Sequence, residues 1–259
     1  MIQTPAQEPI RSAAEQVRSA LRQSIIEGAL TPGTRLIDAS VALQHSVSRN
    51  TARDGLRLLE AEGLAVSTRN VGYSVRELTV EDIRDLYTAR RIIEAGAVRS
   101  SVAAPGRLLE ELEQAADHTE ACVRRGSWTA VGTASLDFHR RVVALGGSES
   151  LNTFFVAVAA QLRLAFSVID DEAAFQLQWV PRDREIAELI LGGAREDAVA
   201  ALDRYLSDSE VSVIDAVRAS LRARRADPGA DPAVAEDTTD PPVPAELRTT
   251  EPDTKEHTA

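Results

Sequence analysis

Lysine is nearly absent from this chain: Lys255 is its one example, and every other basic residue is an arginine. That imbalance fits a GC-rich genome and carries no chemistry of its own. Cysteine is as scarce. Cys122 alone excludes an intramolecular disulfide and any zinc site built from a cysteine cluster; set among apolar and charged residues on a predicted helix, it reads as structural. Aromatic residues make up 4%, so a core must come from leucine, valine, isoleucine and alanine, a mixture that favours helices when arginine and glutamate are abundant. No apolar run approaches the ~20 residues of a membrane span, and the N-terminus lacks the charged-then-apolar pattern of a secretion signal. Both absences predict a cytoplasmic protein with no membrane partner. There are four histidines, of which His118 and His257 fall on a surface helix and in the tail. With no nucleophile–base pair and no phosphate-cradling glycine loop, an enzyme is not expected.

What is present is a 259-residue chain, 44% apolar, which can hold one large or two modest domains. Its net charge of −11 argues against a nucleic-acid binder. The charge is uneven, however. Residues 1–78 hold nine arginines against eight acidic residues, whereas 226–259 hold two basic and nine acidic residues. The acidity lies mostly away from one stretch, Ser48 to Glu60. Read at 3.6 residues per turn, Ala52, Leu56 and Leu59 fall on one side of a helix. Arg49, Arg53 and Arg57 recur every four residues as a cationic stripe beside them. Ser48 is placed to cap the N-terminus. Such a helix suits a nucleic-acid groove, with arginines meeting phosphate or a guanine edge and Ser48, Asn50 and Thr51 reaching phosphate or base atoms. A solvated surface helix is the plainer alternative.

In chain order, residues 1–9 read as a flexible lead, followed by a helix over Ile10–Glu27, a turn at Leu30–Gly33, and a short helix from Asp38, its cap, to His45. After the Ser48–Glu60 helix come two strands near Leu64–Thr68 and Tyr73–Arg76, joined by the hairpin Arg69-Asn70-Val71-Gly72. That order is a winged helix-turn-helix, with its third helix in the major groove and its hairpin tip on the adjacent backbone or minor groove. Arg69 at the tip either touches DNA or stands in water. From Thr79 onward the pattern is helical: Val80–Ala104, Leu108–Arg125, Trp128–Leu145, Ser150–Asp170, Pro181–Leu191 and about Ala194–Ala223, with residues 171–180 ambiguous. The predicted fold is therefore mainly α. It has a winged helix-turn-helix domain with a two-stranded wing over 10–77 and an all-α bundle of about six helices over 79–223. A disordered, acidic, proline-rich tail follows over 226–259.

The run Val17…Leu21-Arg22…Ile25…Gly28…Leu30…Pro32-Gly33…Leu36, then Val47-Ser48-Arg49…Arg53…Leu56…Leu59…Glu62-Gly63-Leu64, then Gly72…Val75, resembles the N-terminal domain of GntR-family bacterial transcription regulators. The resemblance implies that Arg49 and Arg53 are principal DNA contacts, with Ser48 and Thr51 on phosphates and Gly72 at the wing tip. Two departures concern the DNA sequence read: Ala39 stands where the family often has an arginine, and His45-Ser46 replaces an apolar residue and glycine. The bundle resembles the effector domain of the FadR subfamily, the FCD domain. Leu86-Tyr87…Arg90…Ile93-Glu94, Asp137-Phe138-His139-Arg140 and Ile186…Leu189-Ile190…Gly193…Ala198 carry that resemblance. It implies a homodimer on a palindromic operator in double-stranded DNA, commonly a repressor, with a small-molecule effector in the bundle.

Many look-alikes also hold a divalent metal there. The four matching positions are Ser135, His139, Asp183 and Tyr205. Hydroxyls are poor ligands for such ions, so the degraded set predicts no cofactor; a metal, if bound, would rest on His139 and Asp183. His139 is otherwise a core histidine held by a hydrogen bond. Arg90 is the candidate anchor for a carboxylate or phosphate effector through its bidentate fork, against the alternative of an Arg90–Glu94 helix pair. Arg91 is the second candidate cation. A competing class is a protein that binds effector but uses its winged domain as a protein contact.

Overall fold

The computed structural model describes residues 12–169 and 171–226. The lead expected at 1–9 lies outside them, as does the tail beyond Ala226. Among the described residues are ten α-helices and three short strands.

The first unit is built on α1 (Ala13–Ile26), α2 (Asp38–Gln44) and α3 (Arg49–Ala61). α1 opens with a complete capping box: Ser12 Oγ accepts from the Glu15 amide, and the Glu15 carboxylate accepts from the Ser12 amide. Val17, Leu21 and Ile25 of α1 bury against Ala52, Leu56 and Leu59 of α3, the inward face that the helical spacing predicts. Gly55 permits the close approach, since a Cβ there would lie 2.7 Å from a Val17 methyl.

The wing departs from the two-stranded expectation. β1 (Arg35–Leu36), β2 (Ala65–Thr68) and β3 (Gly72–Val75) form a three-stranded antiparallel sheet in the order β1-β3-β2. Leu36 pairs with Tyr73, and Thr68 with Gly72. The β2–β3 tip turns through Asn70 and Gly72, both at positive φ (65° and 101°), backbone that asparagine and glycine adopt most readily. The α2 start is also corrected. Ile37 holds the cap position without a side-chain cap hydrogen bond, and Asp38 lies inside the first turn, where its carboxylate is drawn to Arg53 instead.

The second unit is helical throughout: α4 (Val80–Ser100), α5 (Gly106–Arg124), α6 (Trp128–Ala144), α7 (Glu149–Phe166), α8 (Glu172–Leu177), α9 (Val180–Leu191) and α10 (Arg195–Ala226). A 3-10 turn over Ser101–Ala103 follows α4, whose predicted length ran to Ala104. The Thr79/Asp82 capping box starts α4 as expected. α8, which brings the bundle to seven helices where about six were expected, occupies the stretch where the sequence was ambiguous. α4 packs along α10, where the buried Tyr87 hydroxyl meets Ser209 Oγ at 2.6 Å.

One apolar cluster runs from Val17 to Val217, so the two units share a continuous core. α7 makes two of the polar joints between them, beside the Arg76–Asp82 ion pair that links the wing to α4. Gln161 donates to the Glu62 carbonyl at the end of α3 (2.9 Å), and Arg163 Nε donates to the Ile26 carbonyl at the end of α1 (3.1 Å). These carbonyls lack partners within their own helices, so α7 satisfies the ends of two helices of the winged unit at once.

Candidate nucleic-acid interface and effector chamber

Ser48 has extended backbone, and its Oγ accepts from the Thr51 amide at 3.1 Å, the N-cap that starts α3. Thr51 Oγ1 lies 2.8 Å from the same hydroxyl and is half-buried. Arg49, Asn50, Arg53, Arg57, Arg69 and Gly72 are all exposed. Helix and wing tip thus offer one polar surface. Its cations are not equivalent. Arg53 is ion-paired with Asp38, and Arg57 with Asp54 at 3.0 Å. Arg49 and Arg69 form no ion pair among the described residues. The Arg53 hydrogen bond holds the Asp38 carboxyl below its usual range.

Three contributors to this surface escaped the sequence reading. Asp38 fixes Arg53. Glu60 ties helix to wing by accepting from the Ser67 amide at 3.1 Å. Arg35 braces the tip by donating to the Val71 carbonyl at 3.3 Å. Each acts on a residue far away or across a strand pair, so no local pattern announces it.

Within the bundle, all five candidate effector residues are buried: Arg90, Ser135, His139, Asp183 and Tyr205. They meet around a residue that sequence reasoning treated only as a helix partner, Glu94. Arg90 Nε donates to Glu94 Oε1 at 2.7 Å, and Glu94 Oε2 lies 2.6 Å from His139 Nδ1. The ring's other nitrogen, Nε2, faces Asp183 Oδ1 at 3.5 Å. Tyr205 closes the group, with its ring 4.7 Å from the imidazole and its hydroxyl 3.3 Å from Ser135 Oγ. Trp179 packs against Tyr205 with its ring tilted by 59°, 5.2 Å between centroids. Arg91 points elsewhere, to Glu210 and Asp203, and Asp137 pairs with Arg140 and Arg141.

The charges follow from this geometry. Burial alone would strip the proton from His139, but the Glu94 carboxylate and the hydrogen bonds to Asp183 and Glu94 outweigh it, so the imidazole holds its proton above the ordinary histidine range. Burial likewise pushes Glu94 up, yet Arg90 and His139 bring it below the usual carboxylate range. Tyr205 is raised well above its ordinary value by burial and then by the Asp183 charge. Two cations and two carboxylates therefore balance. Even so, Arg90 Nη2, Asp183 Oδ2 and Trp179 Nε1 are buried without a hydrogen-bond partner among the described residues, and the His139 Nε2–Asp183 Oδ1 contact is a long one at 3.5 Å. Buried polar atoms are normally satisfied, so these orphaned groups set the cluster apart from the apolar core around it.

A divalent metal does not fit the set. Two of the four positions are hydroxyls bonded to each other, and one imidazole with one carboxylate is too few firm donors. No group of three or more His, Cys, Asp or Glu side chains is arranged to hold an ion among the described residues.

Residues 13–75 match the family described as bacterial regulatory proteins, gntR family, and residues 85–208 match the FCD domain. A solved putative transcriptional regulator GntR from Rhodococcus sp. RHA1 is 31% identical with a TM-score of 0.74, over 79% of this chain and 99% of that one. The HTH-type regulator YdhC of Bacillus subtilis (strain 168) is 30% identical over 138 residues, 52% of this chain and 62% of that relative's length. A probable D-xylose utilization operon transcriptional repressor of Paenarthrobacter nicotinovorans is 28% identical over 201 residues, 76% of this chain and 86% of its own. These relatives are regulators rather than enzymes. No helix among the described residues is long and apolar enough to cross a membrane. A winged unit that displays arginines, carried by a bundle with a buried polar chamber, is the arrangement these two families join, and the chain belongs to the GntR family of bacterial transcriptional regulators, with an FCD domain behind its winged helix.

Proposed function

We propose that the protein is an effector-responsive repressor that binds a palindromic operator in double-stranded DNA as a homodimer. α3 enters the major groove with Arg49 and Arg53 as principal contacts and Asn50 and Thr51 beside them. Arg69 and Gly72 lie along the neighbouring backbone or minor groove. Ser48 contributes through its cap, which aims the α3 amides at a phosphate. The effector is a small carboxylate or phosphate-bearing metabolite held in the chamber of Arg90, Ser135, His139, Asp183 and Tyr205. The buried, unpartnered Arg90 Nη2 supports an anionic group, and Asp183 Oδ2, which has no hydrogen-bond partner among the described residues, supports a hydroxyl or ammonium on the same molecule. Binding there would shift the population of winged-unit positions through α7.

One observation carries the reading: the exposed Arg49, free of any contact ion pair among the described residues, at the capped start of α3. Footprinting on the intergenic DNA upstream of its own gene should show a two-fold site that Arg49→Ala and Arg53→Ala both lose. Two variants that protect the same site as wild type would reject the assignment. A second reading, a winged domain used as a protein contact, draws on the pairing of Arg53 and Arg57 with aspartates. Steep loss of DNA affinity with salt would exclude it, because only phosphate contacts release counterions.

A further inference from the structure

A groove lies away from the buried cluster of Arg90 and His139, at the seam between the two units. α6 and α7 enclose a groove of about 180 Å³ that Ile26, the last residue of α1, closes on one side. Its lining is mostly apolar: Leu136, Val156, Ala159 and Ala160. Its charged lining residues are Asp137, Arg140 and Arg163. Asp137 is already bound to Arg140 at 2.6 and 2.8 Å. Arg163 is different. Its side chain is 3% exposed, Nε donates to the Ile26 carbonyl, and Nη2 faces Glu172 at 3.1 Å. Its Nη1 is buried with no partner among the described residues. Arg163 lines the groove, and an unused buried guanidinium N–H beneath that lining is a costly arrangement unless the side chain turns to meet an acceptor; a carboxylate is the acceptor that an arginine fork matches best.

We propose that this groove is a second small-molecule site, for a short aliphatic or aromatic carboxylate whose apolar body lies among Leu136, Val156, Ala159 and Ala160 and whose anionic end meets Arg163. The size agrees: a cavity of about 150 Å³ lined by apolar residues holds benzene. The site does not depend on the chamber reading, because none of its lining residues belongs to the chamber. It does touch the winged unit. The guanidinium that would turn toward the ligand is the one that holds the α1 carbonyl, and α1 packs directly on α3.

Calorimetric titration of the full chain tests this with benzoate, isovalerate and hexanoate, and with benzyl alcohol as a neutral match for benzoate. At least one carboxylate should bind one per chain, with benzyl alcohol at least tenfold weaker. Ala159→Phe fills the groove from its half-buried wall and should weaken that carboxylate tenfold or more while the circular dichroism and melting temperature stay near wild type. Arg163→Gln should erase the preference for the charged ligand over the neutral one. His139→Gln, in the chamber, should leave binding within twofold. No binding by any of the three acids, or binding that survives Ala159→Phe, would overturn the proposal. Loss of binding with His139→Gln but not with Ala159→Phe would place the ligand in the chamber and overturn it equally.

Discussion

The same residue type does opposite jobs in the two halves of this molecule. On α3, Arg49 stands in solvent with no contact ion pair among the described residues, although its charge reaches Asp38, and its neighbour Arg53 is paired with that carboxylate at the surface. In the bundle, Arg90 is fully buried and held by Glu94, which also holds His139. An exposed guanidinium needs no partner, is free to meet phosphate, and can be lost with little harm to the fold. A buried one must be matched by charge, and its partner becomes indispensable to the core. A single rule of electrostatics thus separates an exposed arginine surface from a buried cluster of matched charges.

The sharpest way to break that contrast is Glu94→Ala. It strips the shared carboxylate from two buried cations, and breaking a buried pair from one side costs about 3–5 kcal/mol. Denaturant unfolding should show that loss, and a change under about 1 kcal/mol would mean that the cluster is far less coupled than its geometry implies.

The pH dependence comes next, measured on chelator-treated protein. His139 has its pKa raised by folding. Its contribution is therefore complete below the unfolded value of about 6.5 and fades as pH climbs through the higher folded value. Glu94 runs the other way: its lowered pKa adds stability that is present above about pH 4.3, the unfolded value, and is lost as pH falls through the folded one. Unfolding free energies for wild type should fall relative to His139→Gln as the solution is made alkaline. A flat difference from pH 6 to 9 would contradict a protonated imidazole.

Helix capping offers a smaller test on the exposed side. Ser48→Ala removes the hydroxyl that starts α3 and should lower stability by about 1 kcal/mol. An unchanged melting curve would show that tertiary packing alone sets where α3 begins. Asp38→Asn should have the least effect on the fold, yet it frees Arg53 and should raise affinity for unrelated DNA more than for the operator. A loss of affinity for both would instead make Asp38 a positioning residue for Arg53.

Sequence periodicity located the α3 stripe, its inward face and its cap, because these depend on residues within one or two turns. The same holds for the capping box at Thr79 and Asp82. It named the five chamber residues only through the family resemblance, and Glu94 escaped because its role is set by His139, 45 positions away. β1 was missed for a similar reason: two residues form a strand only because Tyr73 and Ser74 lie opposite. α8 is six residues long, too short for periodicity to reveal. Asp38 looked like a cap by its position, and only the packed fold shows that it lies inside the first turn of α2 with Arg53 as its main partner.

The central claim, that the exposed arginines of α3 meet DNA phosphate or base, is tested most directly by fluorescence anisotropy on the upstream intergenic DNA across a salt series. Wild type should lose affinity linearly on a log–log plot, and Arg49→Ala should bind more weakly with a slope shallower by about 1 if Arg49 sits on phosphate, or with an unchanged slope and relaxed sequence preference if it reads a base. Equal affinity, slope and preference for Arg49→Ala and wild type would contradict the account.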